Sequence, residues 1–504
     1  MINLVWLIIG IISQLFSNGK QIIPAAVVIA MIFFLRFVRK SKPLPGILIG
    51  IIANIAIAFY IFEGIIPLKG SLYYIVVGGM TAISFLPYIA DRLISPRIGG
   101  FASTLVFPLT WTALEYISSI ANPYGTWSSI AYTQYDNLTF IQLASVTGIW
   151  GIIFVMAWFA SVINFAWDRK WVWKDIRRGV VIYSCILAAV FVYGGIRLNL
   201  ISPGADTARI ATITGTHVYT KNKAEKDLNE LYKKAPDNFR SVILDLAKGV
   251  DDEFIERSRR EADSGANIVA WSEGAVAIPS ESEEAFTKRC IQLAMEKNIY
   301  LVAAMSVIPE DYPKTLSKNK VVLIEPSGKI TADYLKSRPV PGELCVAGDG
   351  KIPVISTPYG NISTVVCFDM DFPSLIRQAG KGKADIMFAP SNDWEAIDPL
   401  HTNMAVFRAV ENGFSLVRIV NSGLSITVDG TGRTIAQKNY FNSGDEAMIS
   451  YVPAKGIPAL YPVIGDLFGQ LSVLGFWIFA ITAIVRKKRI NEQVEDIPGK
   501  GPAA

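Results

Sequence analysis

The feature that most constrains this chain is a series of apolar stretches, each about as long as a transmembrane helix. A membrane span needs roughly 20 predominantly apolar residues. Seven such stretches precede residue 200, and one follows residue 466. They lie near residues 3–17, 22–38, 46–67, 71–90, 101–120, 140–166, 179–196 and 467–485. This pattern predicts a helical membrane domain of about eight spans and excludes a wholly soluble protein.

The charged residues divide the chain into two parts. Only 18% of the 504 residues are charged, whereas soluble domains carry about 25%. Residues 1–200 hold 14 Lys and Arg and six Asp and Glu, and the remaining residues hold 34 and 37. We therefore expect seven spans within residues 1–200 and a soluble domain over 205–455. An eighth span is expected at 466–486, followed by a tail at 487–504.

The basic residues predict how the spans are oriented, because short cytoplasmic loops carry an excess of Lys and Arg. Clusters of basic residues follow spans 2, 4, 6 and 8, whereas the alternate short loops hold only Lys20 and Lys69. Both termini are therefore expected in the cytoplasm. The domain at 205–455 would then lie on the extracytoplasmic side of a multi-pass protein of the inner, cytoplasmic membrane. The net charge of +5 belongs mainly to these loops, so no nucleic-acid partner is expected.

Rare residues narrow the chemistry. The chain has two histidines, His217 and His401, and four cysteines without a C-x-x-C pair. A multi-His metal site and a zinc knuckle are thereby excluded, and no metal or cofactor is predicted. Glu115 lies inside the fifth predicted span, where a carboxylate is either functional or simply meets a polar neighbour near the helix end.

The soluble part alternates strand-like and helix-like runs, which predicts α/β layering. Residues 239–263 and 399–412 are typical of helices, and 426–433 of a terminal hairpin with an Asp-Gly turn. Strands are expected at 208–214, 267–271, 299–307, 320–326, 361–367, 384–390 and 414–420. A helix is also expected over about 281–296.

Three residues stand at the ends of predicted strands: Glu273, Lys336 and Cys367. Catalytic groups of open α/β sheets project from the carboxyl ends of strands. A cysteine that begins a helix-like segment is expected to have a lowered thiol pKa. A carboxylate can take the thiol proton, and a lysine can stabilise the oxyanion formed at a carbonyl. Each residue alone is more often structural, but together they suffice for acyl transfer.

The sequence around these residues resembles the nitrilase superfamily of carbon–nitrogen hydrolases. The similar segments are AWSE, YLKSRPVPGE and VVCFD, with SNDW, FRAVENG and RIVNSG downstream. The resemblance implies an α-β-β-α sandwich inserted between spans 7 and 8. It also implies Glu273 as general base, Lys336 as transition-state stabiliser, Cys367 as nucleophile and Glu343 as a supporting glutamate.

The membrane part resembles the apolipoprotein N-acyltransferase family within that superfamily, through TWTALEY, YGTWSSIAYTQ and IQLASVTGIWG. This implies a phospholipid acyl donor, a thioester on Cys367 and transfer to the N-terminal cysteine amine of a lipoprotein, by a protein expected to be a monomer. The alternatives are a membrane-tethered amidase, in which water accepts the acyl group, or an acyltransferase with another amine acceptor. A catalytically dead receptor domain is a further alternative from another class.

The residues that would contact substrate depart from the family pattern. The first strand ends in Thr214-Gly215-Thr216-His217 instead of Gln-Gly-Asn, and Phe368-Asp369 follows the nucleophile instead of Tyr-Glu. Substrate contacts are expected at Phe368, Asp369, Asn392 and Trp394. His401 is expected to have a structural role, whereas His217 either replaces a family polar residue passively or touches substrate. Cys345 is a weak rival nucleophile, because it lacks the strand-end context.

Overall fold

The computed structural model describes residues 2–201, 204–215, 238–444 and 446–495. These residues form two compact units. One unit comprises Met1–Asn122, Thr126–Gly195 and Asp466–Ala504, and the other comprises Pro123–Gly125 and Ile196–Gly465. His217 and Thr216, which were singled out in the sequence, lie outside the described residues.

The first unit is helical. Several of its helices begin with Pro in the first turn, where the missing N–H costs no hydrogen bond. The helices are α1 Ile2–Gln14, α2 Pro24–Lys40, α3 Pro43–Ile61, α4 Ser71–Ser84, α5 Leu86–Ile98, α6 Val106–Ala121, α7 Leu138–Ile141, α8 Ala144–Thr147, α9 Ile149–Asp168, α10 Trp173–Leu200 and α17 Leu467–Glu495. A two-residue hairpin, β1 Ser17–Asn18 and β2 Gln21–Ile22, follows α1.

Within the part of the chain that the structure describes, five helical segments are long and apolar enough to cross a membrane. They are Pro43–Ile61, Ser71–Ile98, Ile149–Asp168, Trp173–Leu200 and Leu467–Lys487. The predicted span at 140–166 is wrong at its start, because Gly148 adopts a φ of 63° and separates α8 from α9. The protein thus has several membrane-length helices, and the total of eight spans stays a prediction.

Several charged groups inside the first unit are paired. Arg39 donates two hydrogen bonds of 2.7 Å to the carboxylate of Asp91, which is fully buried. Asp168 accepts from Arg36 at 2.6 Å and from Lys40 at 2.7 Å. These contacts join the ends of α2 and α9 to α5. Some of the basic residues that predict the orientation of the spans therefore also stabilise the packing of the helices.

Glu115 lies within α6 and is held by two hydrogen bonds. Trp111 Nε1 donates to its Oε1 at 2.8 Å, and the Ser129 hydroxyl donates to its Oε2 at 2.5 Å. A carboxylate in an apolar helix needs such partners. These contacts favour the interpretation that Glu115 meets polar neighbours.

The second unit contains two β-sheets. The first has the strand order β15-β3-β4-β6-β7-β8, with β5 also paired to β6, and the second has the order β14-β13-β12-β11-β10-β9. Parallel pairing joins β3 to β4 and β4 to β6 in the first sheet, and β10, β11 and β12 in the second. The strands are β3 Thr207–Ile213, β4 Ile268–Trp271, β5 Val276–Pro279, β6 Tyr300–Ile308, β7 Lys318–Ile324, β8 Ile330–Leu335, β9 Val354–Thr357, β10 Gly360–Thr364, β11 Ile386–Asn392, β12 Ser415–Asn421, β13 Leu424–Val428, β14 Thr434–Asn439 and β15 Met448–Pro453.

Helices cover the outer faces of both sheets, and the inner faces meet, which makes a four-layer α-β-β-α sandwich. The helices are α11 Phe239–Leu246, α12 Val250–Asp263, α13 Glu283–Lys297, α14 Pro373–Lys381, α15 Leu400–Asn412 and α16 Tyr461–Ile464. Helices α12 and α13 pack on the first sheet and α15 on the second, while β4 contacts β11 between the sheets. All four residues of β4 and all seven of β12 are buried, as both faces of a covered parallel sheet require.

Two sequence predictions for this unit are wrong. The helix expected over 239–263 is divided into α11 and α12, because Gly249 takes a left-handed φ of 78°. The hairpin at 426–433 forms, with β13 and β14 antiparallel, but it is not terminal. Strand β15 follows it and pairs with β3 of the other sheet. The first and last strands of this unit therefore lie side by side.

Candidate active site

Strand direction brings the predicted site residues to one edge of the sandwich. Glu273 follows β4, and Lys336 follows β8. Strand β8 is antiparallel to β7, which is antiparallel to β6, so β8 ends at the same edge as β4. Cys367 follows β10, whose parallel partner β11 ends at the corresponding edge of the second sheet. Carboxyl ends of strands from both sheets thereby supply the site.

Lys336 lies between two carboxylates. Its Nζ donates to Glu273 Oε1 and to Glu343 Oε2, each at 2.8 Å. Asn319, at the start of β7, donates its side-chain amide to the same two glutamates, at 2.7 Å to Glu273 Oε1 and at 3.1 Å to Glu343 Oε1. The Lys336 side chain is only 2% exposed, so its charge depends on these acids. Glu343 therefore shares the charge of Lys336 with Glu273, and its supporting role stays a prediction.

These contacts determine the protonation states of Lys336 and Glu343. Burial lowers the pKa of Lys336, but Glu273, Cys367 and Glu343 outweigh it, and the pKa ends well above its usual value. Burial likewise raises the pKa of Glu343, yet Lys336 outweighs it and leaves that pKa lowered. The lysine is thus a cation and Glu343 an anion at neutral pH.

Cys367 occupies a tight bend. It has a φ of 47° and begins a single 3-10 turn, Cys367–Asp371. A non-glycine residue in this region stores roughly 1–3 kcal/mol, which the surroundings must hold. The predicted lowering of the thiol pKa is wrong, because burial and the nearby Glu273 carboxylate raise the pKa of Cys367 well above its usual value. The thiol is protonated at rest and needs a base.

Glu273 has a free acceptor for that proton. Within the described residues, both hydrogen bonds to its side chain go to Oε1, so Oε2 is available to the thiol. Asn421, at the end of β12, fixes the backbone here by donating to the Glu273 carbonyl at 3.4 Å and accepting from the Gly215 N–H at 2.8 Å. Asn421 thereby connects Glu273, which follows a strand of the first sheet, to the end of β12 in the second sheet.

A second charged cluster lies on the other side of the thiol. Asp393 Oδ1 is 4.0 Å from Cys367 Sγ. Arg418 donates to both oxygens of Asp393 at 3.0 Å. His401 Nδ1 is 2.7 Å from Asp393 Oδ1, and its Nε2 is 3.2 Å from Asp371 Oδ1. All four of these charged residues are buried.

Ion pairing explains the protonation of this cluster. Burial raises the pKa of Asp393, but Arg418 and His401 outweigh it and bring that pKa to about 2. Cys367, Asp393 and His401 also have ligand atoms within 4.8 Å of one another, a spacing compatible with a metal ion. The Arg418 guanidinium, however, already lies against both Asp393 oxygens, so a fixed cation balances this carboxylate.

Asp369 is held by neighbouring protein groups, and its contact with substrate stays a prediction. It is fully buried, and it accepts from the backbone N–H groups of Val366 at 3.0 Å and Arg338 at 2.7 Å, and from the Tyr334 hydroxyl at 2.8 Å. Burial raises the pKa of Asp369 to about 6 against these hydrogen bonds. It joins the Cys367 turn to the segment after Lys336, which is a positioning role.

The remaining predicted contacts surround the cluster. Phe368 is buried, with its ring 5.3 Å from that of Phe372. Asn392 ends β11, and Trp394 follows Asp393; both are partly exposed. Their contact with substrate stays a prediction. Thr214 lies just beyond β3, and no substrate role can be assigned to it from its contacts.

The other cysteines are not equivalent to Cys367. Cys290 lies inside α13, and Cys185 lies in α10. Cys345 is buried beside Glu343, and burial together with that carboxylate raises the pKa of Cys345 to about 12.

Sequence reasoning missed several residues that complete the site. Asn319, Arg418 and Asn421 lie within or at the ends of strands, where a polar residue would usually face solvent. Each is buried. A buried polar side chain must find a partner, so a polar residue in an otherwise apolar strand was the available signal, for example Arg418 in FSLVRIV.

Two family models match the chain. The model for carbon-nitrogen hydrolase matches residues 242–452, which include Glu273, Lys336, Glu343 and Cys367. The model for the apolipoprotein N-acyltransferase N-terminal domain matches residues 11–162. Fold and site thus define an enzyme of the nitrilase, or carbon–nitrogen hydrolase, superfamily that also carries a helical membrane part.

Whole-chain relatives specify the family. An apolipoprotein N-acyltransferase from Geobacter metallireducens is 27% identical, covering 90% of this chain and 89% of that protein. Another from Borreliella burgdorferi is 23% identical, covering 93% and 92%. A crystal structure of an amidase from Nesterenkonia sp. is 19% identical, with a TM-score of 0.39 over 51% of this chain and 94% of that one. The chain belongs to the apolipoprotein N-acyltransferase family and is an N-acyltransferase.

Proposed function

We propose that this enzyme moves an acyl chain from a membrane phospholipid to Cys367 and then to the N-terminal cysteine amine of a lipoprotein. The observation that carries the proposal is the buried group of Glu273, Lys336 and Glu343 beside a protonated Cys367 thiol. The relatives named as acting on apolipoproteins supply the acceptor class. All of these side chains come from one chain, so the proposal needs no second copy.

The first half-reaction forms a thioester. Glu273 takes the proton of the Cys367 thiol, and the sulfur attacks the ester carbonyl of the phospholipid. Lys336 donates a hydrogen bond to the oxyanion that develops, and such preorganised donors lower the barrier most where water is excluded. The alkoxide of the lysophospholipid leaves as the ester C–O bond breaks, and it takes the proton held by Glu273.

The second half-reaction forms an amide. The neutral α-amine of the diacylated cysteine attacks the thioester carbonyl, again with Lys336 at the oxyanion. Glu273 takes a proton from the attacking nitrogen and returns it to the departing Cys367 sulfur. The enzyme is thereby restored, and the same general base serves both half-reactions.

The substrates account for the membrane part. A diacylated lipid cannot leave the bilayer cheaply, because each buried CH₂ contributes about 0.8 kcal/mol. The enzyme must therefore work at the membrane surface. We propose eight spans, a catalytic domain at 205–455 on the extracytoplasmic side and a cytoplasmic tail. The basic loops after the even-numbered spans support this orientation.

A thioester trap tests the proposal. Purified full-length protein is incubated with phospholipid labelled in its acyl chain, and the label is located by mass spectrometry. We expect label on Cys367, released by neutral hydroxylamine, and no hydroxylamine-sensitive label in Cys367→Ser. Cys345→Ser, a matched control at another buried cysteine, should keep the label. Absence of label from Cys367 in the active protein would refute the thioester.

A second arm identifies the acceptor. Labelled enzyme is given a diacylated peptide with a free N-terminal cysteine amine or the same peptide with that amine acetylated. Transfer to the free amine only supports the proposal. Release of free fatty acid at the same rate with either peptide would instead identify a hydrolase, and transfer to unrelated amines would identify a different acceptor.

A further inference from the structure

The turn that carries Cys367 is anchored at its far end by His401. The 3-10 turn Cys367–Asp371 begins with the nucleophile and ends with Asp371. His401, at the start of α15, contacts Asp371 through Nε2 and Asp393 through Nδ1. Asp393 follows β11 and is itself 4.0 Å from the sulfur. One imidazole thus bridges the end of the turn and a carboxylate that lies 4.0 Å from the thiol sulfur.

The contacts with two carboxylates favour a His401 that is protonated on both ring nitrogens. A carboxylate can only accept hydrogen bonds, and each ring nitrogen faces one. At 2.7 Å from Asp393 Oδ1, an unprotonated Nδ1 would place its lone pair against that oxygen. Arg418 approaches Nδ1 at 2.9 Å because both groups converge on the same oxygen of Asp393.

We propose that Asp371, Asp393, His401 and Arg418 form a positioning set that holds the Cys367 turn and keeps the charge beside its thiol balanced, with His401 as an imidazolium. The set contains two carboxylates and two cations, so its net charge is zero. The proposal rests on Cys367 being the nucleophile, but not on the identity of the donor or acceptor.

Because the charge balance of this set depends on the His401 proton, we expect the reactivity of Cys367 to depend on pH. Burial and Arg418 lower the pKa of His401, but Asp393 and Asp371 outweigh them and raise it to about 9. Among the described residues, Asp371 in the Cys367 turn, Asp393 after β11 and Arg418 in β12 are charged groups that face the imidazole, and Cys367 lies 4.0 Å from Asp393. Loss of the His401 proton leaves one excess negative charge near the sulfur, and a like charge disfavours the thiolate.

The alkylation rate of Cys367 tests this proposal without requiring acyl transfer. Full-length protein in detergent is treated with iodoacetamide from about pH 6 to about pH 10, and Cys367 modification is followed by mass spectrometry. In the wild type, the rate should rise about tenfold per pH unit and then more slowly above about pH 9. His401→Gln should react about tenfold more slowly at neutral pH and lack the break near pH 9.

A double variant distinguishes an effect of charge balance from an effect of altered packing. Asp371→Asn combined with His401→Gln removes one charge of each sign, so it should regain most of the lost rate at neutral pH. Asp385→Asn is the matched control: Asp385 is buried at the other end of β11, where it accepts from the N–H groups of Asn361 and Gly456. This variant should lose stability and keep the wild-type pH profile.

Two results would overturn the inference. One is a His401→Gln profile that matches the wild type within about twofold at each pH, since that change is below a third of a pKa unit. The other is a double variant slower than His401→Gln alone. Wild-type protein that is alkylated at another cysteine but not at Cys367 would refute the proposed nucleophile itself, so the two failures are distinguishable.

Discussion

Replacing Lys336 by Met removes the cation that two carboxylates share. The Lys336 side chain is 2% exposed and that of Glu273 is 6% exposed, so water can replace little of the lost interaction. Breaking a buried ion pair by removing one partner costs about 3–5 kcal/mol. We expect Lys336→Met to lower the free energy of unfolding by about that amount, and to lower the acyl-transfer rate at least 10²–10³-fold, as loss of an oxyanion donor does.

The stability loss should depend on pH. Lys336 holds the pKa of Glu343 below its usual value, so this pair stabilises the fold above the unfolded pKa of Glu343, about 4.3, and the stabilisation is lost as pH falls through the lower folded value. Without Lys336, the stabilisation of the fold by the Lys336–Glu343 pair is absent at neutral pH. The difference in stability between wild type and variant should therefore be largest at neutral pH and shrink toward acid pH.

Thermal unfolding in detergent, with Lys336→Met, Glu273→Gln and the double variant, measures the coupling. Since Glu273→Gln removes the uncompensated charge, the double variant should be more stable than the sum of the two losses predicts. Lys320→Met is the matched control, because Lys320 is also buried and paired, with Glu283 at 2.6 Å and Asp333 at 2.9 Å. It should lose stability and retain activity. Strict additivity of the Lys336 and Glu273 changes would refute the ion pair.

Three further outcomes follow from single contacts. Cys367→Gly should be about 1 kcal/mol more stable than the equally inactive Cys367→Ala, because only glycine is unstrained at a φ of 47°; equal melting temperatures would contradict this. Asp369→Asn should cost about 1.5–3 kcal/mol of stability through its charge-assisted hydrogen bonds and lower kcat with little change in KM, checked by unfolding and kinetics. Glu115→Gln can keep hydrogen bonds to Trp111 and Ser129, so its acyl-transfer rate should stay within about twofold, or roughly 0.4 kcal/mol; complete inactivation would assign Glu115 to function.

The proposed catalytic side chains were accessible to sequence reasoning because they sit where strands end. Glu273 and Cys367 each follow a run whose apolar pattern marks a buried strand, and Lys336 follows the half-exposed strand β8. Carboxyl ends of such strands meet at one edge. The partners of these residues were not accessible in this way. Asn319 begins a strand and Arg418 lies within one, and no local pattern indicates which residue, distant in the sequence, each will meet.

The thiol of Cys367 shows the same division most clearly. Its local context, a cysteine at the start of a helix-like segment, predicts a lowered pKa. In the folded protein the helix is a single turn, and burial and Glu273 raise the pKa instead. Desolvation and through-space charge depend on which residues surround the group, and that is a property of the assembled sandwich rather than of neighbours along the chain.

The amino-acid sequence by itself determined the division into apolar helices and a layered domain, because span length and strand periodicity are local properties of the chain. It also determined the three reactive residue types and their order. Tertiary structure alone decided that Lys336 lies between two glutamates, that Asn421 ties Glu273 to the other sheet and that His401 anchors the Cys367 turn. Most of these contacts join residues far apart in the sequence, and strand pairing together with the packing of the layers brings them within hydrogen-bond distance.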